Sequence, residues 1–126
     1  MNYKKYLPLP APPEEVYLAL TKAQSIQLWT GAEAIFIEEP GTEFSFWEGD
    51  IVGKNLEFEP NKKIVQQWYF GENNEPSIVT IKLHEDKKGT SLEFAQTNIP
   101  EEDFDDFTAG IEEYFLGGLA DFFEEE

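Results

Sequence analysis

Few side chains in this sequence could carry covalent chemistry. There is one histidine, His84, and no cysteine. Thiol catalysis, disulfides and Cys-ligated zinc are therefore excluded, and any Ser-His-acid arrangement would have to assemble around His84. In "IKLHED" that histidine falls out of phase with Ile81 and Leu83 and next to Glu85 and Asp86, which reads as a solvated position before a turn. Ser25, Ser45, Ser77 and Ser91 sit in no nucleophile-elbow sequence. In "EEDFDDF", Glu101, Glu102, Asp103, Asp105 and Asp106 lack the glycine and ligand spacing of a calcium loop. They read as the solvated, dipole-compensating start of a helix. "GKN" has no Walker spacing. No catalytic residue, metal ligand or cofactor is expected, and an enzyme is the weaker reading.

Charge narrows the partners. The formal net charge is −17, there is no arginine, and no lysine follows Lys88. A nucleic-acid binder must neutralise phosphates with basic groups, so nucleic acid and anionic membrane surfaces are excluded as partners. The acid excess suits solubility, or steering toward a basic protein surface. No apolar run approaches the roughly 18 residues of a membrane span, and "MNYKKYLPLPAPP" holds no signal-peptide core. The expectation is one cytoplasmic domain over residues 1–126, its oligomeric state open.

What remains is binding, and the elements that would shape a site. "YKKYLPL" reads as a first strand. Pro12-Pro13-Glu14-Glu15 then opens a helix with Val16, Ala19 and Leu20 on its apolar face, and "AQSIQLW" makes a second that stops at Gly31. From residue 33 the period changes to two. "EAIFIE", "TEFSFWE", "DIVGKNLEFE", "KIVQQWYF", "SIVTIKLHE" and "TSLEFAQT" are six further strands, separated by "EPGT", "EGD", "EPNK", "GENNEP" and "DKKG". Such short connections imply an antiparallel meander. Last, Phe104, Phe107, Ile111, Phe115, Leu119 and Phe122 recur at three and four, one stripe on a helix from Pro100 to Phe123.

The expected fold is α+β: a curved antiparallel sheet of about seven strands wrapped around a long C-terminal helix, with two short helices after the first strand. A twisted sheet does not lie flush on a straight helix, so a cavity is expected between them. Its expected lining is Phe46, Gln66, Trp68, Ile81, Phe94, Gln96, Ile111 and Phe115. The two inward glutamines need partners, whether backbone, water or ligand. Gly117-Gly118 interrupts the helix, either to bend it, to admit close approach to its backbone, or to relieve crowding against a ring.

Three segments carry a family resemblance: "GTEFSFWEGDIVGKNLEFEPNKKIVQQWYF", "VTIKLHEDKKGTSLEFAQTNIP" and "GIEEYFLGGL". They resemble the START-like (SRPBCC) superfamily, in the branch of the activator of the ninety-kilodalton heat-shock protein's ATPase. The chain departs from that branch at Ile111, usually tryptophan, and at Gly118, often proline. The resemblance implies a helix-grip domain with an internal pocket. The main functional expectation is a protein holding a small hydrophobic or aromatic ligand between helix and sheet. The alternative is an interaction module of the chaperone-cofactor type, with a heat-shock chaperone as partner. A cyclase or dehydratase using the same pocket is weaker still.

Overall fold

The computed structural model describes residues 1–70 and 76–124; most of the "GENNEP" connection lies outside them. The chain starts with strand β1 (Tyr3–Leu9), followed by helices α1 (Pro13–Thr21) and α2 (Ala23–Thr30). Pro13 occupies the first turn of α1, where its missing N–H is not needed, with Glu14 and Glu15 at the positive end of the helix dipole. Gly31, with φ 74°, closes α2 in the left-handed conformation.

Five strands follow in a meander: β2 (Glu43–Phe46), β3 (Ile51–Glu59), β4 (Lys63–Trp68), β5 (Ser77–Asp86) and β6 (Gly89–Gln96). Among the described residues the sheet has six strands, all antiparallel, in the order β1-β6-β5-β4-β3-β2. β1 pairs with the last strand, β6, and forms one edge of the sheet.

The seventh expected strand, "EAIFIE", does not form. Only Ile35 pairs, with Ser45. Beyond it the Ile37 carbonyl is taken by Asn55 Nδ2 (3.2 Å), Thr42 Oγ1 (3.0 Å) and the Glu39 N–H (2.9 Å). With that acceptor claimed locally, nothing continues the ladder. Phe36 is nevertheless buried, as alternation requires, and its ring stacks on Phe46 at 6.1 Å.

The C-terminal rod is helical from Glu101 to Glu124 but not uniform. A 3₁₀ turn (Glu101–Asp103) leads into α3 (Phe104–Gly110), a π-helical stretch (Ile111–Leu116) and α4 (Gly117–Glu124). The Gly117 N–H reaches the carbonyl of Glu112, five residues back. Ile111, Phe115, Leu116, Leu119 and Phe123 are buried against the sheet and α2. No helix among the described residues is long and apolar enough to cross a membrane.

Candidate functional site

Phe115 stands where the cavity was expected. Its ring lies 5.0 Å from Trp29, 5.5 Å from Phe94, 5.8 Å from Trp68 and 6.4 Å from Phe46. These centroid distances are those of favourable edge-on and tilted aromatic pairs. The middle of the interface is thus occupied by the chain's own rings.

Above this cluster a polar row crosses the inner face. Pairing aligns Tyr3 with Gln96, Gln96 with Val79, Val79 with Gln66, and Gln66 with Asn55. Asn55, Gln66 and Gln96 are fully or almost fully buried. One half of the row is closed. Asn55 Nδ2 donates to Thr42 Oγ1 (3.2 Å), Gln66 Nε2 donates to Asn55 Oδ1 (3.0 Å), and the Trp68 indole N–H donates to Gln66 Oε1 (2.9 Å).

The other half is open. Gln96 Nε2 donates to Ser77 Oγ (2.9 Å), but Gln96 Oε1 and the Tyr3 hydroxyl have no partner among the described residues. Burial first, and the nearby Glu112 carboxylate second, push the Tyr3 pKa upward; Glu112 does not, however, reach hydrogen-bonding geometry.

Open space lies at the edge of the rod. A groove of about 540 Å³ runs between the rod and the turn joining β2 to β3, lined by Thr30, Trp47, Ile51, Phe107, Ile111 and Phe115 among others. A second, of about 380 Å³, continues it past Trp68 and Phe70. The two share Asp50, Ile51, Asp106 and Phe107. The turn that forms one wall is strained: Trp47 (φ 51°) and Glu48 (φ 54°) are left-handed without being glycine. Such conformations cost about 1–3 kcal/mol each. A bond from the Trp47 indole N–H to the Thr30 carbonyl (3.1 Å) holds the ring in place.

The predicted site residues therefore separate. Ile111 and Phe115 line the larger groove and Trp68 the smaller. Phe46, Gln66, Ile81, Phe94 and Gln96 line neither; they are buried in the interior. Trp47, Asp50, Asp106, Phe107 and Gly110 were not anticipated. The sequence pattern carries the strand through Trp47 as "TEFSFWE" and leaves only "EGD" for the turn, whereas the strand ends at Phe46. Nothing in that spacing shows that the turn faces a helix fifty residues on. Asn55 was also missed, although an asparagine inside a strand pattern is itself a signal.

His84 lies on the outer sheet face, half exposed, with Nε2 3.0 Å from Glu93 Oε1. That contact, aided by Lys4 and Lys82 and opposed by burial, lowers the Glu93 pKa. Among the described residues no group of three or more His, Asp or Glu side chains could hold a metal ion.

A curved antiparallel sheet gripping a C-terminal helix defines the helix-grip class. Within it, residues 10–124 match the family described as Activator of Hsp90 ATPase homolog 1-like protein, and the chain belongs to that family. It is 32% identical over 96 residues to an activator of 90 kDa heat shock protein ATPase homolog from Dictyostelium discoideum. It is 30% identical over 113 residues to the Homo sapiens activator of 90 kDa heat shock protein ATPase homolog 1. The matches cover 74% and 88% of this chain but only 25% and 33% of those relatives, so the chain spans a quarter to a third of their length. Among solved structures, an Hsp90 activator from Plasmodium falciparum superposes with a TM-score of 0.71 at 26% identity, covering 93% of this chain and 96% of that one.

Proposed function

We propose that this domain is a chaperone-cofactor module that docks on an Hsp90-type chaperone and raises its ATPase rate. The observation that carries the reading is the family match across residues 10–124, joined by relatives named as activators of that ATPase. The physical route needs no catalytic group on this chain. A domain that binds one conformational state of its partner more tightly shifts the partner toward that state, by as much as the affinities differ. The charge of −17 suits encounter with a basic surface and makes association fall with salt.

The test is the steady-state ATPase of a purified Hsp90-type chaperone, with and without this domain, at low and high salt. Stimulation that saturates with domain concentration and weakens with salt is expected. An ATPase rate that stays flat at saturating domain would sink the reading.

A second reading, a small hydrophobic or aromatic ligand, is supported by the size of the larger groove, which falls in the range of small-molecule sites. There the ligand would rest against Ile111 and Phe115. Native mass spectrometry and thermal-shift screening with lipid and aromatic libraries test it, and no rise in Tm with any compound would count against it.

A further inference from the structure

We infer that the groove between the Trp47–Ile51 turn and the rod is the docking site for a protein segment that presents a lysine or arginine beside a large apolar side chain. The inference rests on the chaperone-cofactor reading for the partner's identity, and on the groove's own chemistry for the segment's character.

Gly110 lies in the groove wall, and among the described residues a Cβ built on it meets nothing within 4 Å. Glycine weakens a helix relative to alanine, and no neighbour among the described residues requires it here. By contrast, Gly118 is needed because Trp29 presses on it. A glycine that the fold does not require, at the wall of an open groove, is what a docked chain would use to approach the rod's backbone closely.

Charge defines the occupant. Asp50 and Asp106 line both parts of the groove and Asp103 the smaller part. None of the three is in an ion pair among the described residues. The lysines that do form pairs — Lys4, Lys5, Lys22 and Lys63 — are matched to Glu93, Glu112, Glu38, Glu57 and Glu59 instead. The same groove is lined by Trp47, Ile51, Phe107 and Ile111, which suit an aliphatic or aromatic anchor. A segment with an apolar side chain on these surfaces and an adjacent cation facing Asp50 and Asp106 satisfies both.

Two further features sit at this groove. The wall residue Trp47 is left-handed, and Ile111–Phe115 on the opposite wall is π-helical. Strained backbone and π-turns recur at binding sites because packing must hold them against their own cost.

The experiment measures binding of the purified 126-residue chain to an Hsp90-type chaperone, for wild type, Gly110→Trp and the double variant Asp50→Asn/Asp106→Asn. Asp121→Asn on the same rod is the control. Gly110→Trp fills the groove, and its binding is expected to weaken by about tenfold or more, the loss typical of a blocked hot spot. The double variant is expected to weaken binding about threefold to tenfold at low salt, less at high salt, with Asp121→Asn near wild type. Should Gly110→Trp misfold by circular dichroism, the double variant alone decides. Chaperone binding by the folded variants equal to wild type overturns the inference while leaving the cofactor reading intact.

If the wild type binds no chaperone, the cofactor reading fails and a second arm judges the groove. Amide shifts are mapped by NMR with a tryptophan–lysine hexapeptide and its tryptophan–glutamate counterpart. Perturbation of Gly110 and Ile111 by the lysine peptide alone supports the inference. No perturbation, or a response only to neutral aromatic small molecules, overturns it and in the latter case assigns the groove to a small ligand.

Discussion

Gly118 lies directly against Trp29. A Cβ on the glycine would sit 3.0 Å from the Trp29 carbonyl oxygen and 3.4 Å from its ring Cε3. The neighbouring Gly117 would place a Cβ 3.1 Å from the Glu112 carbonyl that its own N–H reaches. Both glycines therefore relieve crowding, Gly118 against α2 and Gly117 against the rod's own preceding turn. The Trp29 indole N–H donates to the Ala19 carbonyl (2.8 Å), so the ring cannot retreat without breaking a buried hydrogen bond.

This sets two glycine substitutions in opposite directions. Gly118→Ala gains about 1 kcal/mol of helix propensity but incurs overpacking of about 1–3 kcal/mol, and a net loss of stability is expected. Gly110→Ala, whose Cβ meets nothing within 4 Å among the described residues, keeps the propensity gain of up to about 1 kcal/mol. Urea midpoints of the two variants should move to opposite sides of wild type. Equal shifts would refute the packing assignment.

Phe115 is the ring on which α2, the sheet and the rod converge. Phe115→Ala should cost about 3–5 kcal/mol, the range for a buried phenylalanine that leaves a cavity. A loss below about 1 kcal/mol by chemical denaturation would mean that the interior is already loose at this point.

The polar row predicts an asymmetry between its two glutamines. Gln66→Leu strands Asn55 Oδ1 and the Trp68 indole N–H, two buried groups at about 1–3 kcal/mol each. Gln96→Leu removes an amide whose oxygen has no partner among the described residues, leaving Ser77 Oγ bonded to the Thr97 carbonyl. It should cost less than about 1 kcal/mol. Thermal unfolding of both variants checks the ordering; Gln96→Leu as damaging as Gln66→Leu would show that the open half is satisfied in solution, for example by water.

The pH dependence should have two separable limbs. Burial, then the hydrogen bond to Glu38 (2.7 Å), push the Tyr17 phenol pKa up. An acid held neutral in the fold but ionising at about 10 when unfolded destabilises the fold as pH rises above that value. Tyr17→Phe should flatten that alkaline loss. Glu93 is shifted the other way, lowered chiefly by His84. Its contribution is present above the unfolded carboxylate value of about 4.3 and is lost as pH falls through its lower folded value. Glu93→Gln should shallow the acid limb. Stability profiles of either variant that parallel wild type would contradict these assignments.

Much of the architecture was legible in residue spacing. Period-two alternation put Leu92, Phe94 and Gln96, and Val79, Ile81 and Leu83, on the buried face where the sheet holds them. The three-and-four stripe placed Ile111, Phe115 and Leu119 inward along the rod. "EAIFIE" misled because alternation records which side chains are buried, not whether backbone partners exist; Phe36 is buried there without a strand.

Local order in this chain follows from periodicity and from Pro, Gly and acid punctuation, which act over a few residues and are written in sequence. The fate of the space between rod and sheet was not local. It depended on four rings from α2, β2, β4 and β6 meeting Phe115, and on a turn at Trp47–Gly49 settling opposite Asp106 and Phe107. Side-chain volumes sum only once the elements are packed, and only that packing could fill the interior and leave the groove at its edge.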